Sequence, residues 1–208
     1  MWTSPERAQE FIEIMFPIDS TLALKLLGCF LIGSIPFAIL AMMGSGIDIR
    51  KVGSGNPGFN NVLRVSKPRA VLTLIGDLGK GYLAVWLFHQ PGDPQAFAWL
   101  YGFMTVFGHC YSPFLKFNGG KGIATSAGVM LVLYPGWALL ALGFFVLVRL
   151  LGSRLRWPEA GMIASIATWL FFALLMFVLI GGIAGRNALL MTVFLAWRHQ
   201  QNFRNLLA

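Results

Sequence analysis

The run "GIATSAGVMLVLYPGWALLALGFFVLVRLL", Gly122–Leu151, decides the fold, because it is one largely apolar stretch of thirty residues interrupted by "YPG" at 134–136. As one helix it would be about 45 Å long, against about 30 Å of hydrocarbon in a bilayer. As two short helices it turns at Pro135–Gly136, a favourable turn pair. Working outward, further apolar runs are expected to span at 21–43, 69–89, 96–114, 160–180 and 182–197, and the quoted run is divided into 122–134 and 136–151. Composition agrees: 57% of the 208 residues are hydrophobic and 12% charged, the profile of a polytopic membrane protein. The expected fold is an all-α integral membrane protein of seven transmembrane helices in a single domain, 21–208, preceded by a surface segment, 1–20.

Charge separates six spans from seven. With the acidic N-terminus outside, seven spans place Arg50, Lys51, Arg64, Lys67, Arg69, Lys116, Lys121, Arg154, Arg156, Arg198 and Arg204 inside. Six would move the Arg154/Arg156 loop and the C-terminal tail outside. The positive-inside bias favours seven, with the C-terminus cytoplasmic. That bias also accounts for the net charge of +8 without nucleic acid. The N-terminal segment carries more acid than base, the reverse of a signal peptide, so the first span is expected to be retained. Cys29 and Cys110 lack metal-ligand spacing and read as packing residues.

Every glycine-rich segment then falls on the cytoplasmic face. In "KVGSGNPGFNNVLR", Lys51–Arg64, the pattern Gly53-x-Gly55-x-x-Gly58 lacks the strand that a dinucleotide fold requires. Closely spaced glycines can nonetheless turn backbone N–H groups onto an anion. Ser54, Asn56, Asn60 and Asn61 add neutral donors, and Arg64 adds a planar cationic fork. The same residues also fit a plain polar turn. In "GHCYSPFLKFNGGKGIATSAG", Gly119, Gly120 and Gly122 surround Lys121 at a helix start, an arrangement suited to phosphate. His109 fits a base, a phosphate donor or an interfacial residue. In "GDLGKG", Asp77 and Lys80 share a helical face and are expected to brace the site from behind. His199 and Asn202, in "RHQQN", share a face if the last helix continues. No clustered carboxylates point to a metal and no nucleophile elbow is present, so no metal and no cofactor are expected.

Taken in order, "GSIPFAIL", "DIRKVGSGNPGFNNVLR", "GDLGKG", "GHCYSPFLKFNGGKGIATSAG" and "RHQQNFRNLL" resemble the bacterial acyl-phosphate:glycerol-3-phosphate acyltransferases of the PlsY type. The resemblance is strong over residues 31–130 and resumes over 197–207. It implies a seven-helix enzyme of the bacterial inner membrane with its active site on the cytoplasmic face. Its partners would be acyl phosphate, sn-glycerol 3-phosphate and membrane lipid, without nucleic acid or metal. The implied products are lysophosphatidic acid and phosphate. Carried over by position, Gly53, Ser54, Gly55, Asn56, Asn61, Arg64, Gly119, Gly120 and Lys121 would bind phosphate. Ser54, Arg64, His109, Lys121, His199 and Asn202 would form the catalytic set. Either His109 or the departing phosphate would take the hydroxyl proton.

This chain departs from the family pattern at Phe59-Asn60-Asn61, where Ala-Thr-Asn is usual, and in "RLLGSRLRWPEAG", which lacks a serine-rich pattern. It also ends at Ala208, where relatives often continue. A transporter of a phosphorylated solute is the main rival. It would place ionisable residues at membrane depth in several helices, and only "GDLGKG" comes close.

Overall fold

The structure, a computed structural model, describes residues 20–207; the expected surface segment 1–20 lies almost wholly outside them. The described residues are helical throughout, joined by loops, with no strands. The helices are α1 (Ser20–Ser34), α2 (Phe37–Met42), α3 (Phe59–Leu63), α4 (Lys67–Phe88), α5 (Gln95–Cys110), α6 (Ile123–Leu133), α7 (Pro135–Arg154), α8 (Ala160–Leu175), α9 (Gly182–Arg198) and α10 (Gln200–Leu207). Four segments are long and apolar enough to cross a membrane: Ser20–Met42, Lys67–Phe88, Pro135–Arg154 and Ala160–Ile180. Helices α5, α6 and α9 are shorter.

The deciding run is broken, but one residue earlier than the expected turn. Tyr134 leaves the helical region at φ −145°, ψ 69°, and Pro135 is the first residue of α7. Proline suits that position because the first-turn N–H has no intrahelical partner to lose. Gly136 therefore sits inside α7 rather than in a turn. The first span is also interrupted. Pro36 cannot donate to the preceding turn, and the chain restarts as α2 at Phe37. After α8, Met176–Ile180 widens into a π-turn, closed by the Gly181 N–H donating to the Met176 carbonyl at 2.9 Å. Gly185 packs on Phe177 of the same chain, so the Gly181-x-x-x-Gly185 spacing serves this return.

Two helix crossings are close enough to exclude side chains. A Cβ on Gly33 would lie 2.0 Å from the Thr105 carbonyl, and one on Gly108 would lie 2.1 Å from that of Phe30, so α1 and α5 touch backbone to backbone. Likewise a Cβ on Gly81 would lie 2.0 Å from the Thr125 carbonyl, and one on Gly128 would lie 2.0 Å from that of Leu78, joining α4 to α6. Small residues at crossings are how helices associate in lipid, where hydrophobic burial offers no advantage over the acyl chains. The large apolar side chains face outward: Leu72 and Ile75 on α4, Leu139 and Leu147 on α7, and Leu174 and Val178 on α8 and its π-turn are all exposed. Cys29 and Cys110 are buried free thiols.

The crossings give a direct test. Gly81→Ala should lower the thermal unfolding midpoint in detergent, with an overpacking cost of about 1–3 kcal/mol. Gly79→Ala, two residues away with no heavy atom within 4 Å, should leave the midpoint unchanged or higher. Equal midpoints for the two variants would contradict the backbone contact.

Candidate active site

Four segments meet at one end of the bundle: the 48–58 loop, the 111–122 loop, the turn before α8, and α10. The other end is marked by a Lys25–Asp93 ion pair at 3.5 Å and a Gln95–Tyr134 contact at 3.5 Å.

Beneath the first two loops lies a buried charge cluster. Lys80 Nζ is 2.8 Å from Asp77 Oδ1 and donates to the Ile35 carbonyl at 2.8 Å. That carbonyl stands at the α1–α2 break. His109 Nδ1 lies 3.4 Å from the same Asp77 oxygen. Asp77 and Lys80 thus pair across one helical turn and brace the break from behind. His109 belongs to this floor: Gly120 packs on the ring so closely that a Cβ there would lie 2.2 Å from Nε2. The crevice between the cluster, Pro57 and Gly120 holds about 10 Å³, room for one water and not for a glycerol phosphate.

The first loop is shaped around Asn61, which is 2% exposed. Its Nδ2 donates to the carbonyls of Ile49 and Val52, both at 3.0 Å, and its Oδ1 accepts from Ser54 N at 3.1 Å. A Cβ on Gly53 would lie 2.3 Å from that Oδ1, and φ is +56° there and +68° at Gly55, so glycine is required at the first and favoured at the second. Gly55 N donates to the Val52 carbonyl at 3.0 Å, Asn56 N to Ser54 Oγ at 3.4 Å, and Gly58 N to the Asn56 carbonyl at 2.9 Å. The N–H groups of Ser54, Gly55, Asn56 and Gly58 are all hydrogen-bonded within this segment. Asn61, expected among the donors, has both amide hydrogens committed to the loop. Phe59 packs into a small apolar cluster with Ile49, Val62 and Ala70 under the loop. Asp48 grips Arg50 through Nε and Nη2, both at 2.9 Å, and these contacts lower its carboxyl pKa to about 2.

The second loop does the same. Gly119 N donates to the Cys110 carbonyl at 3.1 Å and Gly120 N to that of His109 at 3.2 Å, completing the end of α5. From the other side Arg198 reaches the carbonyls of Cys110, Gly119 and Gly120 at 3.2–3.4 Å, with its guanidinium 4.7 Å from the Tyr111 ring centre. The glycines allow the chain to lie this close; the N–H groups of Gly119 and Gly120 are spent on α5, while the start of α6 at Ile123 has no side-chain cap.

Those side chains converge. Lys121 Nζ donates to Asn202 Oδ1. Asn202 Nδ2 donates to Glu159 Oε2 at 2.7 Å, and Asn205 Nδ2 to Oε1 at 3.0 Å. Arg64, exposed beside Gly53, acts electrostatically on both Lys121 and Glu159. Partial desolvation, with the fields of Arg198 and Arg64, lowers the Lys121 pKa against the pull of Glu159. Desolvation opposes ionisation of Glu159, but hydrogen bonds from Asn205 and Asn202 outweigh it and hold its pKa low. His199 Nδ1 lies 2.8 Å from the Leu195 carbonyl, which can only accept, so Nδ1 carries the proton. Burial, together with Lys121 and Arg198, pushes its pKa down to about 4, leaving a neutral ring with Nε2 free to accept. Arg198, Glu159 and Asn205 were not anticipated from the sequence. One signal was available: Glu159 is the only acid after Asp93. Among the described residues, no three His, Cys, Asp or Glu gather as a metal site.

The family model for glycerol-3-phosphate acyltransferase matches residues 23–208. The glycerol-3-phosphate acyltransferase of Laribacter hongkongensis is 40% identical over 187 residues, covering 86% of this chain and 89% of the relative. That of Pseudomonas entomophila is 41% identical over 182 residues, covering 86% and 92%. Among solved structures, the integral membrane glycerol 3-phosphate acyltransferase PlsY in its glycerol 3-phosphate form superposes with a TM-score of 0.80 at 29% identity, covering 90% of this chain and 92% of that one. Its lysophosphatidic acid form gives a TM-score of 0.79 at 28% identity over the same shares. With a family model matched over residues 23–208 and relatives about 40% identical over most of both chains, the chain belongs to the glycerol-3-phosphate acyltransferase family.

Proposed function

We propose that this protein transfers a fatty acyl group from acyl phosphate to the 1-hydroxyl of sn-glycerol 3-phosphate, giving lysophosphatidic acid and phosphate. The observation that carries the reading is the convergence of Arg64, Lys121, His199 and Asn202 at one end of an apolar helical bundle. Both substrates bring a phosphate, and that end is where cations gather. The arrangement fits seven spans, counting α5, α6 and α9 with the four longer segments. The N-terminus would lie outside, and the C-terminus and the site on the cytoplasmic side of the bacterial inner membrane.

An acyl phosphate is already an activated mixed anhydride, so no acyl-enzyme is required. The hydroxyl oxygen bonds to the acyl carbon, the carbon–oxygen bond to phosphate breaks, and the bond electrons leave with phosphate. Lys121 and the Ser54 hydroxyl hold the departing phosphate and stabilise the charge it gains. Arg64 and Asn202 hold glycerol phosphate, and His199 Nε2 accepts from its hydroxyl to orient the oxygen. The proton goes to the departing phosphate, because His109 is turned to Asp77 and covered by Gly120. Gly53, Gly55, Asn56, Asn61, Gly119 and Gly120 shape the phosphate-binding loops. The acyl tail lies against the exposed apolar faces, in lipid.

Purified protein given palmitoyl phosphate should release phosphate only when glycerol 3-phosphate is present, with lysophosphatidic acid appearing in step. Lys121→Ala and Arg64→Ala should each reduce that rate on the order of 10²-fold; near-wild-type rates in both would overturn the assignment. For orientation, a cysteine replacing Gln90 should react with a membrane-impermeant maleimide in intact cells, and one replacing Lys51 only after permeabilisation. The buried native thiols keep the background low. The reverse labelling pattern would invert the topology.

A further inference from the structure

We infer that Glu159 is a positioning residue for the transfer reaction, acting through Asn202 on Lys121; the inference rests on the function proposed above. Glu159 stands where α8 begins, at φ +51°, and its own carbonyl accepts the first helical bonds, from Met162 N at 2.8 Å and Ile163 N at 3.0 Å. The residue at a helix start is most often a Ser, Thr, Asp or Asn whose side chain caps the helix. This one makes no cap. Instead it reaches across to α10, where Asn202 and Asn205, one turn apart, occupy one oxygen each.

The chemistry of the three groups fixes the direction of the relay. An ionised carboxylate only accepts and an ammonium only donates. Asn202 lies between them, so its NH₂ must face Glu159 and its oxygen must face Lys121. Asn205 is oriented in the same way, its Oδ1 accepting from Gln201 Nε2 at 3.1 Å. The amide of Asn202 therefore cannot flip while Glu159 is ionised, and the Glu159 pKa is held low by these same bonds.

The arrangement also explains why an amide, and not the acid, touches Lys121. A carboxylate in direct contact would neutralise the cation and compete with substrate phosphate for it. The asparagine oxygen fixes the ammonium in place and leaves its charge for phosphate. Glu159 supplies the rigidity at one remove, holding the group that makes the contact before substrate arrives.

The test is a set of steady-state measurements with palmitoyl phosphate and glycerol 3-phosphate on Glu159→Gln, Glu159→Asp, Asn202→Ala and the Glu159→Gln/Asn202→Ala double variant. Glutamine presents its own NH₂ to one of the amides, so Asn202 loses its enforced orientation, and kcat/KM for glycerol 3-phosphate should fall roughly tenfold. Glu159→Asp keeps the charge and the helix start but shortens the arm, and should lose activity in the same direction. In the Asn202→Ala background, Glu159→Gln should change the rate less than about twofold, because the relay is already cut. Full activity in Glu159→Asp, or losses that multiply in the double variant, would reduce Glu159 to a distant charge or a structural staple and overturn the inference. The Asn202 side-chain NH₂ resonances give a readout independent of turnover: slow hydrogen exchange in the wild type, lost in Glu159→Gln. If the wild type transfers no acyl group, the functional reading falls while this exchange still decides the relay.

Discussion

The Asp77–Lys80 ion pair is the constraint on which the site depends. Two charges placed in an apolar bundle are costly unless each is met on every side. Here the ammonium is met by the Asp77 carboxylate, by the Ile35 carbonyl and, 5.8 Å away, by the Phe37 ring. The carboxylate is met by Lys80 and His109. The Ile35 carbonyl stands free of a regular helical partner because Pro36 interrupts the first span. The proline break and the buried lysine therefore answer one another. Together with His109 they tie α1, α2, α4 and α5 at a single depth, directly under Pro57 and Gly120. Serines extend the tie: Ser112 Oγ donates to the Ser34 carbonyl at 2.6 Å, and Ser34 Oγ approaches those of Phe30 and Gly108. Both glycine loops rest on a floor that cannot shift without stranding a charge.

On that floor the loops hold themselves rather than waiting open for an anion. A backbone N–H left unsatisfied is unfavourable, and both loops answer this internally, through Asn61 in the first and the end of α5 in the second. Their glycines matter because of how close the chain lies to Asn61, His109 and the α5 carbonyls. On the proposed function, phosphate would be met by side chains presented beside these loops: Ser54 and Lys121 on them, and Arg64 at the end of α3.

The broad fold was legible in the sequence because lipid imposes a simple rule, that each span be apolar and helical. The thirty-residue run and the proline within it follow from it, and the Asp77–Lys80 pair was legible as the exception, because a three-residue spacing puts both charges on one helical face. What the sequence did not reveal has particular causes. Asn61 and Asn60 are adjacent and chemically alike; only packing sends one inward to the loop carbonyls and leaves the other exposed. Arg198 reads as a flanking cation of the cytoplasmic tail, yet α9 aims it at three carbonyls of a loop about eighty residues away. Glu159 reads as an ordinary acid at a helix start. Its departure from the family's serine-rich pattern made the segment look merely divergent, although the same segment carries the acid that meets Asn202 and Asn205. Long-range partners of this kind leave no local periodicity to read.

The placement of the site suits the substrates proposed for it. An acyl phosphate is apolar at one end and anionic at the other, and no single medium suits both. Side chains such as Leu139, Leu147 and Leu174 form an exposed apolar outer surface, against which the tail of the proposed substrate would lie. The cations needed by the head cannot lie deep, where each would require a counter-charge that then competes with phosphate. They can lie at helix ends, partly desolvated so that their fields are strong, yet open to water on one side. Lys121, partly desolvated, and Arg64, exposed near it, stand at that end, and Glu159 is kept two hydrogen bonds away from the lysine, behind Asn202. On the proposed function, a bundle that carries its charge at its edge would bind phosphate from water while the tail of its substrate stays in the membrane.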